Sequence, residues 1–223
     1  MDTDSGRRLS IPPSLFLFAV FYGGMVCIAG VLGNKQVAMG PLAVEAGIFA
    51  FLLLVVVSSA VAELHGRTTA NRLVQLGFIP LIASILLSLL VLAIPAADDM
   101  APERQNAFEL MMRGTPRIWA GGIIAYGVSQ TLNVLIFSKM KGDSGRLLWL
   151  RAGVAGVLSQ IVDTLIFITV AFYGVFPIGD LLLGQMIAKV ALSALVVPIF
   201  IYLFVALGRR LDGKQSPLPA KEG

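Results

Sequence analysis

The sequence predicts an all-α integral membrane protein of six transmembrane helices. Three observations carry that expectation. Of the 223 residues, 57% are hydrophobic and only 13% are charged, far less charge than a soluble domain carries. Six uncharged or nearly uncharged runs follow one another, each long enough to cross a hydrocarbon core of about 30 Å as a helix. Basic residues crowd every second connection and are sparse in the others, as loops on opposite sides of a membrane do.

In chain order, residues 1–13 are a leading segment with Arg7 and Arg8. The first run, Leu15 to Gly33, has too long an apolar stretch for a cleavable signal peptide, and five more spans follow it. It contains the single cysteine, Cys27, so no internal disulfide can form. After a link with Lys35 comes the second run, Ala46 to Ala62. Glu45 suits its N-terminus, and Glu63, His65 and Arg67 read as a solvated helix end. Arg67 and Arg72 precede the third run, Leu73 to Ala97. In the next connection, AADDMAPERQNAFELMMRG, Pro102 suits a helix start, while Phe108, Leu110, Met111 and Met112 would lie against lipid or cap the bundle. The fourth run, Ile118 to Ser138, joins the fifth, Ala152 to Gly179, through Lys139, Lys141, Arg146 and Arg151. The sixth run is Leu181 to Gly208. Residues 209–223 form a polar tail whose composition is that of a disordered segment. The membrane domain expected is therefore residues 14–208.

Twelve of the 17 Lys and Arg fall in the leading segment, the second-to-third and fourth-to-fifth links, and the tail. By the positive-inside rule both termini are expected in the cytoplasm. The formal net charge of +4 then reflects topology, and no nucleic-acid partner is expected.

Within this apolar chain one polar pattern repeats. SQTLNVLIF, Ser129 to Phe137, returns thirty positions later as SQIVDTLIF, Ser159 to Phe167. Ser129 and Asn133 are four apart, as are Ser159 and Asp163, and Gln130 and Gln160 each precede the Asn or Asp by three. Each set makes one polar face of a helix. In antiparallel fourth and fifth spans both Gln residues lie about nine residues from the cytoplasmic end, roughly 13 Å. The faces meet as a helix-helix contact or as a cavity lining; the serines and nearby glycines suit the first. Asp163 differs, since a carboxylate in mid-span is costly and marks a functional site by default. Lys189 in the sixth span is the other such charge, and the two could pair.

The segment RIWAGGIIAYGVSQTLNVLIFSKMKG with its continuation LLWLRAGVAGVLSQIVDTLIFITVAFYG, the later GQMIAKVALSALVVPIFIY and the earlier SSAVAELHGRTTA resemble the queuosine precursor transporter family, also called the vitamin uptake transporter family. The resemblance covers roughly Leu32 to Gly208 and is most specific over Arg117 to Phe167. It implies a fold similar to the substrate-binding subunits of energy-coupling-factor transporters. It also implies import of 7-deazaguanines such as 7-cyano-7-deazaguanine across a bacterial inner membrane. This chain keeps Glu63 and Gly66 of the second-span motif, with His65 replacing an aromatic residue. It has Ser58-Ser59 where the family pattern carries Thr-Asp, and Asn133 where it carries Asp, which leaves fewer acceptors for a purine-like base.

Such a substrate presents a ring N–H beside an exocyclic amine, which a carboxylate accepts as a fork; amide side chains suit the carbonyl edge. Asp163 is the expected fork acceptor, with Gln130, Gln160 and Asn133 for the other edge and Ser129, Ser159, Lys189 and Glu63 completing the set. Tyr126, Phe137, Phe167 and Trp149 are the stacking candidates. Arg117, at the mouth of the fourth span, is expected to cap the entrance or to anchor at the interface. One His and one Cys cannot supply a metal cluster, no serine-nucleophile motif accompanies His65, and no Walker sequence is present. No enzyme activity and no cofactor are expected. The expected mode is secondary or facilitative import by the polypeptide alone, with a partner ATPase module not expected. The alternative is a substrate-binding subunit of an energy-coupling-factor-type transporter.

Overall fold

The structure is a computed structural model that describes residues 11–33, 35–39, 42–112, 116–140, 148–174 and 178–213. Its elements are α1 (Pro13–Leu32), β1 (Gln36–Met39), β2 (Leu42–Glu45), α2 (Gly47–His65), α3 (Arg67–Leu76), α4 (Phe78–Ala93), α5 (Pro102–Met112), α6 (Pro116–Lys139), α7 (Leu148–Phe172) and α8 (Gly179–Gly213). Among the described residues, six spans are long and apolar enough to cross a membrane: α1, α2, α3 with α4, α6, α7 and α8. The expected all-α membrane class holds.

The spans run alternately up and down, so the bundle has two ends. The tail end carries the start of α1, the α2–α3 link, the α6–α7 link and the end of α8. The hairpin end carries β1–β2, α5 and the α7–α8 link. Contacts tie the first and last helices together at the tail end. Ser14 Oγ donates to Asp212 Oδ2 at 2.7 Å and its backbone N–H donates to Oδ1 at 3.0 Å. Ser14 Oγ also lies 2.7 Å from His65 Nε2. Since the hydroxyl proton goes to the carboxylate, the imidazole must donate to the serine oxygen. The trio therefore fastens three helix ends and has the wrong proton direction for an activated nucleophile.

The core centres on α2, whose membrane window is 72% buried, against 6% for the α3–α4 span. That difference follows from sequence: α2 is apolar all round its middle turns, as a surrounded helix is, and buries Leu54, Val55, Val56, Val57, Ala60 and Val61. Helices α1, α3, α6, α7 and α8 each bury only part of their surface, and α4 and α5 bury no residue. In α4 the outward side chains include Ile79, Ile82, Leu86 and Leu90, a surface suited to lipid.

Several local features depart from expectation. The first outer link pairs antiparallel from Gln36 with Glu45 to Met39 with Leu42. Val44 is fully buried, and a Cβ at Gly184 of α8 would lie 3.8 Å from Leu42 Cδ2, so the hairpin rests on the head of α8. The third span begins at Arg67, six residues early, because Gly66 turns the chain at φ 84, a conformation that favours glycine. It then breaks at Gly77. The α7 helix begins at Leu148, which places Arg151 on the helix. The α8 helix runs on to Gly213, beyond the boundary expected at 208, and Asp212 holds Ser14. Glu63 and His65 are paired and largely buried, so of the solvated end expected only Arg67 is exposed. The tail from 214, and Arg7, Arg8, Lys141 and Arg146, lie outside the described residues.

Candidate functional site

Four helices bring polar side chains to one buried region. From α7, Asp163 (3% exposed) accepts from Lys189 Nζ of α8 at 2.7 Å on Oδ2. Its other oxygen, Oδ1, accepts from Ser129 Oγ of α6 at 2.9 Å. Two opposite charges thus compensate each other where neither could stand alone, and the serine fills a remaining lone pair. The ammonium also lies 5.7 Å from the centre of the Phe51 ring, within cation–π range.

Beside this pair is a cavity of about 30 Å³ lined by Ile48 and Phe51 of α2, Gly122 and Ala125 of α6, Asp163 and Phe167 of α7, and Gln185 and Lys189 of α8. That volume admits a water molecule. It is far smaller than the several hundred Å³ of a typical small-molecule pocket. All the lining positions belong to the halves of their helices nearer the hairpin end.

A second tier lies toward the tail end. Asn133 Nδ2 donates to Ser58 Oγ at 3.0 Å and to Ser59 Oγ at 3.1 Å, and Ser58 Oγ reaches Gln130 Oε1 at 3.4 Å. The Ser58-Ser59 pair thus faces Asn133. Two buried acceptors in this tier, Asn133 Oδ1 and Gln160 Oε1, have no hydrogen-bond partner among the described residues. The third tier is an ion pair. Arg151 Nη2 approaches Glu63 Oε2 at 3.0 Å without hydrogen-bond alignment, while Arg151 Nε donates to the Phe137 carbonyl at 3.2 Å and the guanidinium stacks 4.3 Å from the Phe137 ring centre.

The expected residues are therefore distributed by depth. Asp163, Lys189 and Ser129 come together at the cavity. Gln130 and Asn133 turn to the α2 serines one tier away, because α2 offers them hydroxyl partners there. Gln160 is buried beside that tier, and Ser159 Oγ donates locally to the Gly156 carbonyl at 3.0 Å. Glu63 is at the far tier with Arg151. Arg117 opens α6, but its side chain lies outside the described residues. Of the aromatic candidates, Phe167 lines the cavity and Phe137 serves Arg151. Tyr126 donates to Tyr22 Oη at 2.6 Å within the core. Trp149 is 52% exposed on the outer surface, so it cannot stack in this cavity. Phe51 and Gln185 are cavity residues that sequence reasoning missed. Gln185 carried a signal, since it precedes Lys189 by one turn and Ser193 follows by another, giving a polar face on α8. Phe51, in an unbroken apolar run, carried none.

A sequence profile of the family described as "Putative vitamin uptake transporter" matches residues 45–203, a stretch holding all three tiers. The "Probable queuosine precursor transporter" of Bacillus subtilis (strain 168) is 34% identical over 142 residues, which cover 61% of this chain and 61% of that protein. The matched part of the chain thus spans about three-fifths of its relative's length. No solved structure gives a significant match. Because the profile covers well over half of the residues, including every helix that lines the cavity, the chain belongs to the vitamin uptake transporter family.

Proposed function

We propose that the protein imports queuosine precursors, 7-cyano-7-deazaguanine and related 7-deazaguanines, across the bacterial inner membrane, with both termini in the cytoplasm and no need of a partner ATPase. The observation that carries this reading is the Asp163–Lys189–Ser129 group beside a cavity walled by Phe51 and Phe167. It matches one ligand edge well. In the fork, the ring N–H and exocyclic amine reach the two oxygens of Asp163, and the freed ammonium of Lys189 donates to the adjacent ring carbonyl. Gln185 can accept from or donate to a neighbouring ring position, and the two phenyl faces suit a planar ring system. The ligand is neutral, so Lys189 and Asp163 still balance each other's charge when it is bound. Without a ligand the ammonium keeps the carboxylate paired, which fits a closed cavity of water size. The name of the Bacillus relative supports the same substrate class.

Calorimetry on purified protein tests the fork. We expect 7-cyano-7-deazaguanine to bind, and the analogue lacking the exocyclic amine to bind more weakly by about 1–3 kcal/mol, the worth of a charge-assisted hydrogen bond. Equal affinity for the two would remove Asp163 from the proposed role.

A further inference from the structure

Three polar faces run from the cavity toward the tail end, each stepping every four residues. On α7 they are Asp163, Ser159, Ala155 and Arg151; on α6, Ser129, Asn133 and Phe137; on α2, Val55, Ser59 and Glu63. A step of four is close to one turn, so each set stays on one side of its helix. Contacts join the faces at matching levels: Ser129 to Asp163, Asn133 to Ser59 at 3.1 Å, and Arg151 to both the Phe137 carbonyl and Glu63. Arg151 is 2% exposed and the Glu63 side chain 10%, about 18 Å along the bundle from Asp163.

Two properties set these faces apart from a packing seam. A seam satisfies its buried acceptors, whereas Asn133 Oδ1 on the α6 face and Gln160 Oε1, one position from Ser159 on α7, have no partner among the described residues. The closing ion pair is also held by charge and stacking, without an aligned hydrogen bond between Arg151 Nη2 and Glu63 Oε2. A buried pair of that kind gains hydration when it parts toward water, while Phe137 keeps the guanidinium in place through its carbonyl and ring.

We propose that these faces line the inward route from the cavity, that the unpaired acceptors serve a passing planar heterocycle, and that Arg151–Glu63 is the gate at the tail end. The proposal rests on the import reading above, but its test needs no ligand. In a Cys27→Ser background, Ser159→Cys places one thiol between gate and cavity. Inside-out vesicles are treated with a membrane-impermeant methanethiosulfonate reagent, and labelling is followed with time. With the ion pair intact, labelling is slow. Glu63→Gln removes one partner of a buried pair and is expected to raise the labelling rate by about tenfold. Arg151→Lys, which keeps the charge but loses the stack and the carbonyl bond, gives the same reading if Glu63→Gln does not fold. Labelling unchanged by Glu63→Gln or Arg151→Lys overturns the gate. Absence of 7-cyano-7-deazaguanine binding alongside a gate-dependent rate would instead overturn the substrate and leave the route.

Discussion

Lys189 sits 2.7 Å from Asp163, so removing either charge alone strands the other in a low-dielectric interior. We expect Asp163→Asn and Lys189→Gln each to cost about 3–5 kcal/mol of stability, and the double substitution to recover most of it, because loss of both partners leaves no uncompensated charge. Thermal unfolding in detergent of the four proteins in that cycle checks the claim. Binding should behave differently, since the double variant regains stability without regaining a carboxylate for the fork. A pair that is merely structural would restore stability and leave binding intact throughout. These two residues were legible in the sequence because charges stand out in apolar runs. Gln130 and Asn133 were legible as a polar face but not as to partner, since nothing in α6 alone says that Ser58 and Ser59 of α2 stand opposite. Phe51 was illegible for a related reason. An all-round apolar helix has no periodicity from which to read which side meets a ligand.

At the scale of elements, the break between α3 and α4 is a packed joint. A Cβ on Gly77 would lie 2.6 Å from Tyr126 Oη and 2.8 Å from Tyr22 Cε1, and one on Gly127 would lie 2.8 Å from the Phe78 ring. Gly77→Ala and Gly127→Ala are therefore expected to destabilise by overpacking, by about 1–3 kcal/mol each, read as earlier melting. Of the two, Gly77→Ala should be worse, because two rings bound into a hydrogen-bonded pair must move together. The tail-end trio makes a separate prediction. Asp212→Ala removes two acceptor contacts to Ser14 and leaves a buried N–H and hydroxyl to find other partners, a loss of about 1–3 kcal/mol. Intact stability of that variant would mean that α1 and α8 are held by apolar packing alone. The six spans were legible from length and composition, since the membrane makes helices nearly obligatory. The hairpin was not read, although QVAM and LAVE flank a Gly-Pro pair in a recognisable strand–turn–strand arrangement. Nor was the Gly77 joint, because one glycine in an apolar run does not announce a break; the tyrosines that require it come from α1 and α6.

At the scale of the whole molecule, the tiers divide the bundle along its axis. The cavity and its ion pair lie nearer the hairpin end, while Arg151–Glu63 and the Ser14–His65–Asp212 contacts close the tail end. Basic residues cluster at that same tail end, so reporter fusions to either terminus should both read as cytoplasmic. The buried ion pair and the contacts that close the tail end lie on one polypeptide, and the central claim is that this chain by itself imports 7-deazaguanines. The most direct test is uptake of labelled 7-cyano-7-deazaguanine into liposomes that contain this protein and no other. We expect saturable uptake that is competed by unlabelled precursor and lost in the Asp163→Asn/Lys189→Gln protein, whose fold the paired substitution preserves. Absence of uptake by the unaltered protein despite measurable binding would contradict solitary import, and uptake by the double variant at the unaltered rate would contradict the site.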